Sequence, residues 1–519
     1  MIMNSSRTEN VARNMFIATG CQIFSLILSF ISRTLFINIL GADYLGVNGL
    51  FSNILTILSF AELGIGTAII FSMYAPLAEN NIEKIKALMA LYKKSYRVIG
   101  SAIAIIGILI IPLLNSIIKE PPKIHENIFL LYTLFLFNTV VSYFFVYKKS
   151  IIVADQKSYI TTLYQEIVHS IQIILQLLFL IITHNFIIYL CIQIVCTFIT
   201  NFCISRKADK MYPYLKDKDI IPLEKKETTS IINNIKALFL YKLGSVVLNG
   251  TDNIIISKML GVTLVGLSSN YILVISSFST ILNQIMGAFT ASVGNLNARE
   301  TKQKRENIFN MLYFICFWVY GFCAAGLMCF LNQFISLWIG NDYVLDFTVV
   351  LAIIFNFYVV NVHFAIYTYR TTMGFFIYGK YAPVLAAIIN IVLSIVLCKY
   401  IGLMGIFIAT PIARIITNGI IDPVLVYRKG FFKKATSYFI KYIFYMIVVI
   451  SGYLLSKFVT ELISPSGWTI FFIKVIVFSL IYNIFIICIF SRTKLLKDFL
   501  RLLKGLINKT LNKLDKYIP

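Results

Sequence analysis

The chain has 519 residues, of which 59% are hydrophobic and 13% charged, where a soluble globular protein carries roughly 25% charged residues. With a mean hydropathy of +0.83 it has too little polar surface to cover a water-exposed globule. The net charge of +23 would point to nucleic acid in a soluble chain, but here the cations are dealt out between apolar runs, so no nucleic-acid partner is expected.

Apolar runs of about 20 residues, the length of a bilayer-spanning helix, recur near 15–38, 47–75, 96–117, 126–147, 160–182, 185–204, 231–257, 264–294, 308–331, 347–369, 381–398, 403–426, 438–459 and 467–490. The pattern predicts an all-α polytopic membrane protein with about 14 transmembrane helices. No cleaved leader is expected ahead of the first run. The N-terminus, every second loop and the C-terminal tail take most of the Lys and Arg, whereas the opposite loops hold only Lys119, Lys123, Lys258, Lys399 and Lys457. By the positive-inside rule both termini are cytoplasmic.

The first span carries Gln22, Ser25, Ser29, Ser32 and Arg33 at helical spacing, one polar stripe in an apolar helix. It ends in the turn GADYLGV from Gly41. The second span places Glu62 in SFAELGIGTAIIFSMYAPLAEN, with the small residues Ser59 and Gly66 on its side of the helix. Small neighbours predict close packing beside the first span and Arg33. In the fifth span Gln165, His169, Gln172 and Gln176 share a face with Glu166 alongside.

After the charged stretch SRKADKMYPYLKDKDIIPLEKKE, the seventh span repeats the first at an offset of 220. Its turn GVTLVGL from Gly261 matches GADYLGV, and Lys242, Ser245, Asn249, Asp252 and Asn253 stand where the first span has its polar stripe. Lys157 and Lys380, and Arg206-Lys207 and Arg428-Lys429, repeat at nearly the same offset. Two six-span units of one orientation follow, as in parallel-repeat transporters. The implied plan is a cytoplasmic N-terminus (1–14), an N-lobe (15–204), a cytoplasmic linker (205–230), a C-lobe (231–428), an appended and peripheral pair of spans (429–490) and a basic amphipathic tail on the cytoplasmic leaflet (491–519). The segment from Ala78 to Arg97 reads as a shorter amphipathic helix of the same kind.

Further polar stripes occur in the tenth span, with Asn356, His363, Tyr367 and Arg370, and in the twelfth, with Thr410, Arg414, Thr417 and Asn418. A charge at a helix centre costs about 2.5–3.5 kcal/mol on insertion scales, so such residues usually face a bundle interior or wet cavity. The stripes therefore predict a polar cavity. Arg370 and Lys236 lie near span ends, where long side chains can snorkel to the interface. Glu62, Asp252 and Glu166 are either counter-charges or sites for a coupling H+ or Na+. The nine cysteines and four histidines show no metal-ligand or disulfide spacing, so no metal and no cofactor is expected. There is no P-loop, HExxH, GxSxG or GxGxxG, and the chain reads as a non-enzyme.

The stretches SRTLFINILGADYLGVNGLFSNIL and SFAELGIGTAIIFSMYAPLAEN, with the 12 + 2 span plan, resemble the Wzx-type oligosaccharide flippases of the multidrug/oligosaccharidyl-lipid/polysaccharide (MOP) superfamily. The resemblance implies a MOP/MATE-like fold in the bacterial cytoplasmic membrane. It also implies translocation of undecaprenyl-pyrophosphate-linked oligosaccharide repeat units to the outer leaflet for capsule, O-antigen or exopolysaccharide synthesis. Membrane lipids, a polysaccharide polymerase and a chain-length regulator are the partners it suggests. Arg33, Lys242, Arg414 and Arg370 suit a pyrophosphate, and Gln22, Asn249, His363, Gln165 and His169 suit a sugar. A lipid II-type flippase or a MATE-like cation-coupled exporter is the alternative.

Overall fold

The computed structural model describes residues 7–62, 65–120, 122–217, 219–299, 301–375, 379, 381–463 and 467–501. Every regular element among them is helical, and each of the apolar runs falls on helix. Ten stretches are long and apolar enough to cross a membrane as they stand. The fourth run is bent, as Ile128–Tyr143 followed by Val146–Ala154 at 42°. The second run is divided into Ala42–Leu58, a tight turn Ser59–Glu62, and Ile65–Ala78. The seventh is divided into Lys225–Gly250 and Asp252–Met259. The eleventh and twelfth runs lie in one stretch, Ala382–Ile416, with non-helical backbone at Ile401 and Gly402. Gly402 takes φ +58 there, a conformation open to glycine at little cost. A Cβ on Gly405 would strike the backbone of Leu397 and Cys398, so the chain doubles back within a few residues.

Three spans start on asparagine caps. Asn81 Oδ1 accepts from the Lys84 N–H at 3.0 Å, Asn127 Oδ1 from Phe129 at 2.8 Å and Asn185 Oδ1 from Ile187 at 2.8 Å. These satisfy amides that a helix start leaves without partners.

The chain forms two compact units, residues 1–269 with 383–391, and residues 270–382 with 392–519. In the first, Arg7–Leu40 packs along Ser158–Thr183, which packs along Phe186–Met211. Edge-on rings of Phe36, Phe186, Tyr44, Phe51 and Tyr132 fill the space between helices. Leu248 packs with Ala386 and Ala387. In the second unit, Lys302–Ile339 is the central helix, against Phe347–Val362, Thr436–Glu461 and Trp468–Phe490. Phe317 stacks on Tyr445 at 4.1 Å between ring centres. The last two spans thus pack directly on this central helix, rather than standing off as the peripheral pair expected from sequence. In the tail, residues 494–501 are helical; the rest of that expected amphipathic helix lies outside the described residues.

The repeat at offset 220 has a physical basis. Gly41 and Gly261 both turn the chain with positive φ, 89° and 111°. Gly46 then packs on the backbone of Val262, while Gly266 packs on the backbone of Ala42. Position 46 corresponds to 266 and position 42 to 262 at the offset of 220, so each contact is the other with the partners exchanged, and the two helices cross about a local two-fold axis. On that axis Thr263 Oγ1 donates to Asp43 Oδ1 at 2.5 Å. A Cβ at Gly46 or Gly266 would meet backbone. The Gly-x4-Gly spacing is the signature of this close crossing.

Candidate functional site

In the first unit, Glu62 ends the turn that interrupts the second span. Its Oε1 accepts from the Tyr96 hydroxyl and its Oε2 from the Tyr143 hydroxyl at 2.9 Å. The Tyr92 hydroxyl donates to Tyr96 at 3.1 Å. All three tyrosines are buried. Gly66 leaves room for Tyr92, whose hydroxyl would otherwise meet a Cβ at 2.8 Å. The small residues near Glu62 do serve close packing, but against the third span rather than the first. Arg33 is not its partner: Arg33 donates to Ser269 Oγ at 3.0 Å. The cation in the field of Glu62 is Lys149, at the bend after the fourth span. Beside the turn, Ser52, Thr56, Ser59, Asn138, Thr139 and Gln193 line a polar pocket of 200 Å³.

The fifth-span stripe divides by task. Gln176 is buried; its amide donates to the Tyr189 carbonyl at 3.0 Å and accepts from Gln172 at 3.3 Å. Those two are structural. Gln165 is exposed and accepts from Lys149 at 3.0 Å. Glu166 Oε2 is buried without a hydrogen bond among the described residues, with His169 and the first-span Cys21 in its field. Gln22, next to Cys21, is half-buried. The side chains of Lys242, Asn249 and Lys236 lie outside the described residues. Asp252 opens the short helix Asp252–Met259, where the helix dipole favours a carboxylate.

In the second unit His363 joins Phe347–Val362 to Phe364–Thr372 with helical backbone, φ −63 and ψ −16, so the tenth span runs on through it. The twelfth breaks at Thr417, before Asn418–Leu425. The two spans bring Arg370, Asp422 and His363 together. Arg370 Nη1 donates to Asp422 Oδ1 at 2.5 Å, and His363 Nε2 lies 2.8 Å from Oδ2. Asp422 is 1% exposed and Arg370 4%. Arg370 is therefore held by a buried carboxylate instead of snorkelling to the interface.

Asp422 escaped the sequence reading. Its signal was present: an acid in an apolar run, four residues beyond Asn418 and eight beyond Arg414. Next to this triad, His363, Arg414 and Asn418 line a cavity of 380 Å³ with Tyr438 and Tyr442 of the thirteenth span. That span therefore shares in the cavity, which its apolar pattern concealed because tyrosine reads as aromatic bulk.

Glu62, Asp252 and Arg414 lie at or within a few residues of helix interruptions. Irregular backbone at membrane depth is tolerated where it is buried in protein or lines a wet cavity, and broken helices form the substrate and ion sites of many transporters.

No protein-family model matches the sequence, and no characterised protein matches it in sequence. The fold, however, has solved counterparts. The lipid II flippase MurJ in an inward closed conformation matches with a TM-score of 0.64 at 18% identity, covering 91% of this chain and 98% of MurJ. An inward-facing multidrug resistance MATE transporter of the MOP superfamily matches at 0.61 with 13% identity, covering 78% of this chain and 95% of its own. The Vibrio cholerae MATE transporter VcmN gives 0.51 at 14% identity, covering 82% and 98%. The chain is thus an all-α, multi-pass membrane protein with the fold shared by MurJ and the MATE transporters.

Proposed function

We propose that the protein is a flippase that carries undecaprenyl-pyrophosphate-linked oligosaccharide repeat units from the cytoplasmic to the outer leaflet of the cytoplasmic membrane. The observation that carries this reading is the cavity beside the tenth and twelfth spans, lined by Arg414 and His363 and backed by the Arg370–Asp422 pair. A guanidinium at such a wall suits a phosphate ester, as its planar fork matches phosphate oxygens. Asn418, Tyr438 and Tyr442 offer hydroxyl and amide groups to a sugar.

MurJ matches more of the chain than the MATE transporter does, 91% against 78%. That favours a lipid-linked substrate over a small exported cation. Arg33 is a further cation suited to an anionic substrate, and rocking of repeats supplies alternating access. A coupling H+ or Na+ is assigned to the carboxylates Glu62 and Glu166. No cofactor is invoked, and the polymerase and chain-length regulator of the polysaccharide are the partners.

The test is complementation of a flippase-deficient strain, with the lipid-linked sugar that accumulates identified by mass spectrometry. Restored polymer export with loss of the accumulated intermediate is expected. An Arg414→Ala protein that reaches the membrane and exports polymer at the full rate would overturn the assignment of that cavity.

A further inference from the structure

A cluster of cations outside that site lies in the first unit. Helix Ile82–Ile110 begins polar and becomes apolar at Val98. Its Lys86, Lys93, Lys94 and Arg97 face Lys148, from the turn Val146–Lys148, and Lys216, from Pro213–Lys216, across a cavity of 690 Å³. Three separate segments thus converge on one hollow.

Acids offset part of this charge. Lys86 contacts Glu83 at 2.8 Å and Asp217 at 3.6 Å, and Lys148 contacts Asp209 at 2.7 Å. Lys93, Lys94, Arg97 and Lys216 have no carboxylate within ion-pair distance among the described residues. Like charges held this close repel, and an anion in the cavity relieves that repulsion. The volume exceeds what an inorganic anion needs and falls in the range of small-molecule sites.

The rim is apolar. Lys94, Val98, Ile105 and Leu109 share one helical stripe, and the last three are 64%, 61% and 65% exposed. Ile220 adds a further exposed apolar side chain. Cations at the mouth with a lipid-facing apolar track leading away from them describe a site for an amphiphile with an anionic head.

We propose that this cavity binds the phosphate headgroup of an anionic phospholipid, with its acyl chains laid along Val98, Ile105 and Leu109. The cavity lies on the side that the distribution of Lys and Arg assigns to the cytoplasm, where anionic headgroups attract basic segments. Lys93, Lys94 and Arg97 carry the recognition. Lys86 and Lys148, already paired, shape the wall.

The full chain in detergent is titrated with dioctanoyl-phosphatidylglycerol, dioctanoyl-phosphatidylcholine and inorganic phosphate, and bound ligand is read by native mass spectrometry. Phosphatidylglycerol should bind and phosphatidylcholine should not. The triple variant Lys93→Gln, Lys94→Gln, Arg97→Gln should weaken phosphatidylglycerol binding by roughly a hundredfold, taking about fivefold per cation near an anionic headgroup. A control triple, Lys302→Gln, Lys433→Gln, Lys434→Gln, removes equal charge from the other unit and should leave binding unchanged. Replacing Lys93 and Lys94 by Arg should retain it. The proposal is overturned if the first triple binds normally, if the control loses as much, or if inorganic phosphate binds as tightly as the lipid, which would make the site one for a free anion.

Discussion

Glu62 and Asp422 are both carboxylates placed at interruptions of membrane helices, and their surroundings are opposite. Asp422 is enclosed, with Arg370 and His363 on its two oxygens. Glu62 is half-buried among tyrosine hydroxyls, with no cation in ion-pair contact among the described residues. A buried carboxylate that has a guanidinium is neutralised in place, and its removal strands a charge. Glu62 instead has a neutral hydroxyl on each of its oxygens. The difference separates an acid held by a guanidinium from one held by hydroxyls, which composition alone treats as equals.

The comparison can be broken from the Asp422 side first. Asp422→Ala leaves Arg370 buried without its counter-charge and should cost about 3–5 kcal/mol, seen as a large drop in thermal unfolding temperature in detergent. Adding Arg370→Met should restore most of that loss, since removing both partners is often near neutral. If the double variant is as unstable as the single one, the pair is not what Asp422 is for.

The glycine crossing comes next. Gly46→Leu or Gly266→Leu forces side-chain volume onto backbone and should cost about 1–3 kcal/mol, with near-equal effects for the two because the contacts are related by the repeat. Unequal effects would argue against the local two-fold axis.

On the Glu62 side the changes should be milder. Glu62→Gln keeps an acceptor for one tyrosine and should cost about 1 kcal/mol; on the coupling role proposed for Glu62, transport should also lose its dependence on H+ or Na+. A fall in stability matching that of Asp422→Ala would place Glu62 with the structural acids. The smallest effect is expected for Tyr143→Phe, which removes one of two hydrogen bonds to Glu62, about 0.5–1.5 kcal/mol.

Much of the fold was legible in the sequence because a bilayer imposes a length and a polarity on each span. All the apolar runs became helix, including the four that are bent or divided. The repeat was legible as spacing, though not as a contact: Gly41-x4-Gly46 and Gly261-x4-Gly266 gave the offset, and the pairing of Gly46 with Val262 needed coordinates. The site was legible in part. Arg33, His363, Arg370 and Arg414 stood out as polar residues in apolar helices, but Asp422 was passed over and Glu62 was matched to the wrong helix. Chain order placed Glu62 beside Arg33, whereas the fold sets it beside the third and fourth spans.

Hydrophobic length and charge bias are local properties, so the sequence by itself determined that this is a many-span membrane protein with cations inside its helices. Partnership is not local. Whether a buried charge meets a guanidinium, a hydroxyl or a cavity depends on which helices lie side by side, and here residues 59 positions apart in the His363–Asp422 contact and 81 apart in the Tyr143–Glu62 contact were joined by packing. Only the tertiary structure decided which acid meets a guanidinium and which meets hydroxyls.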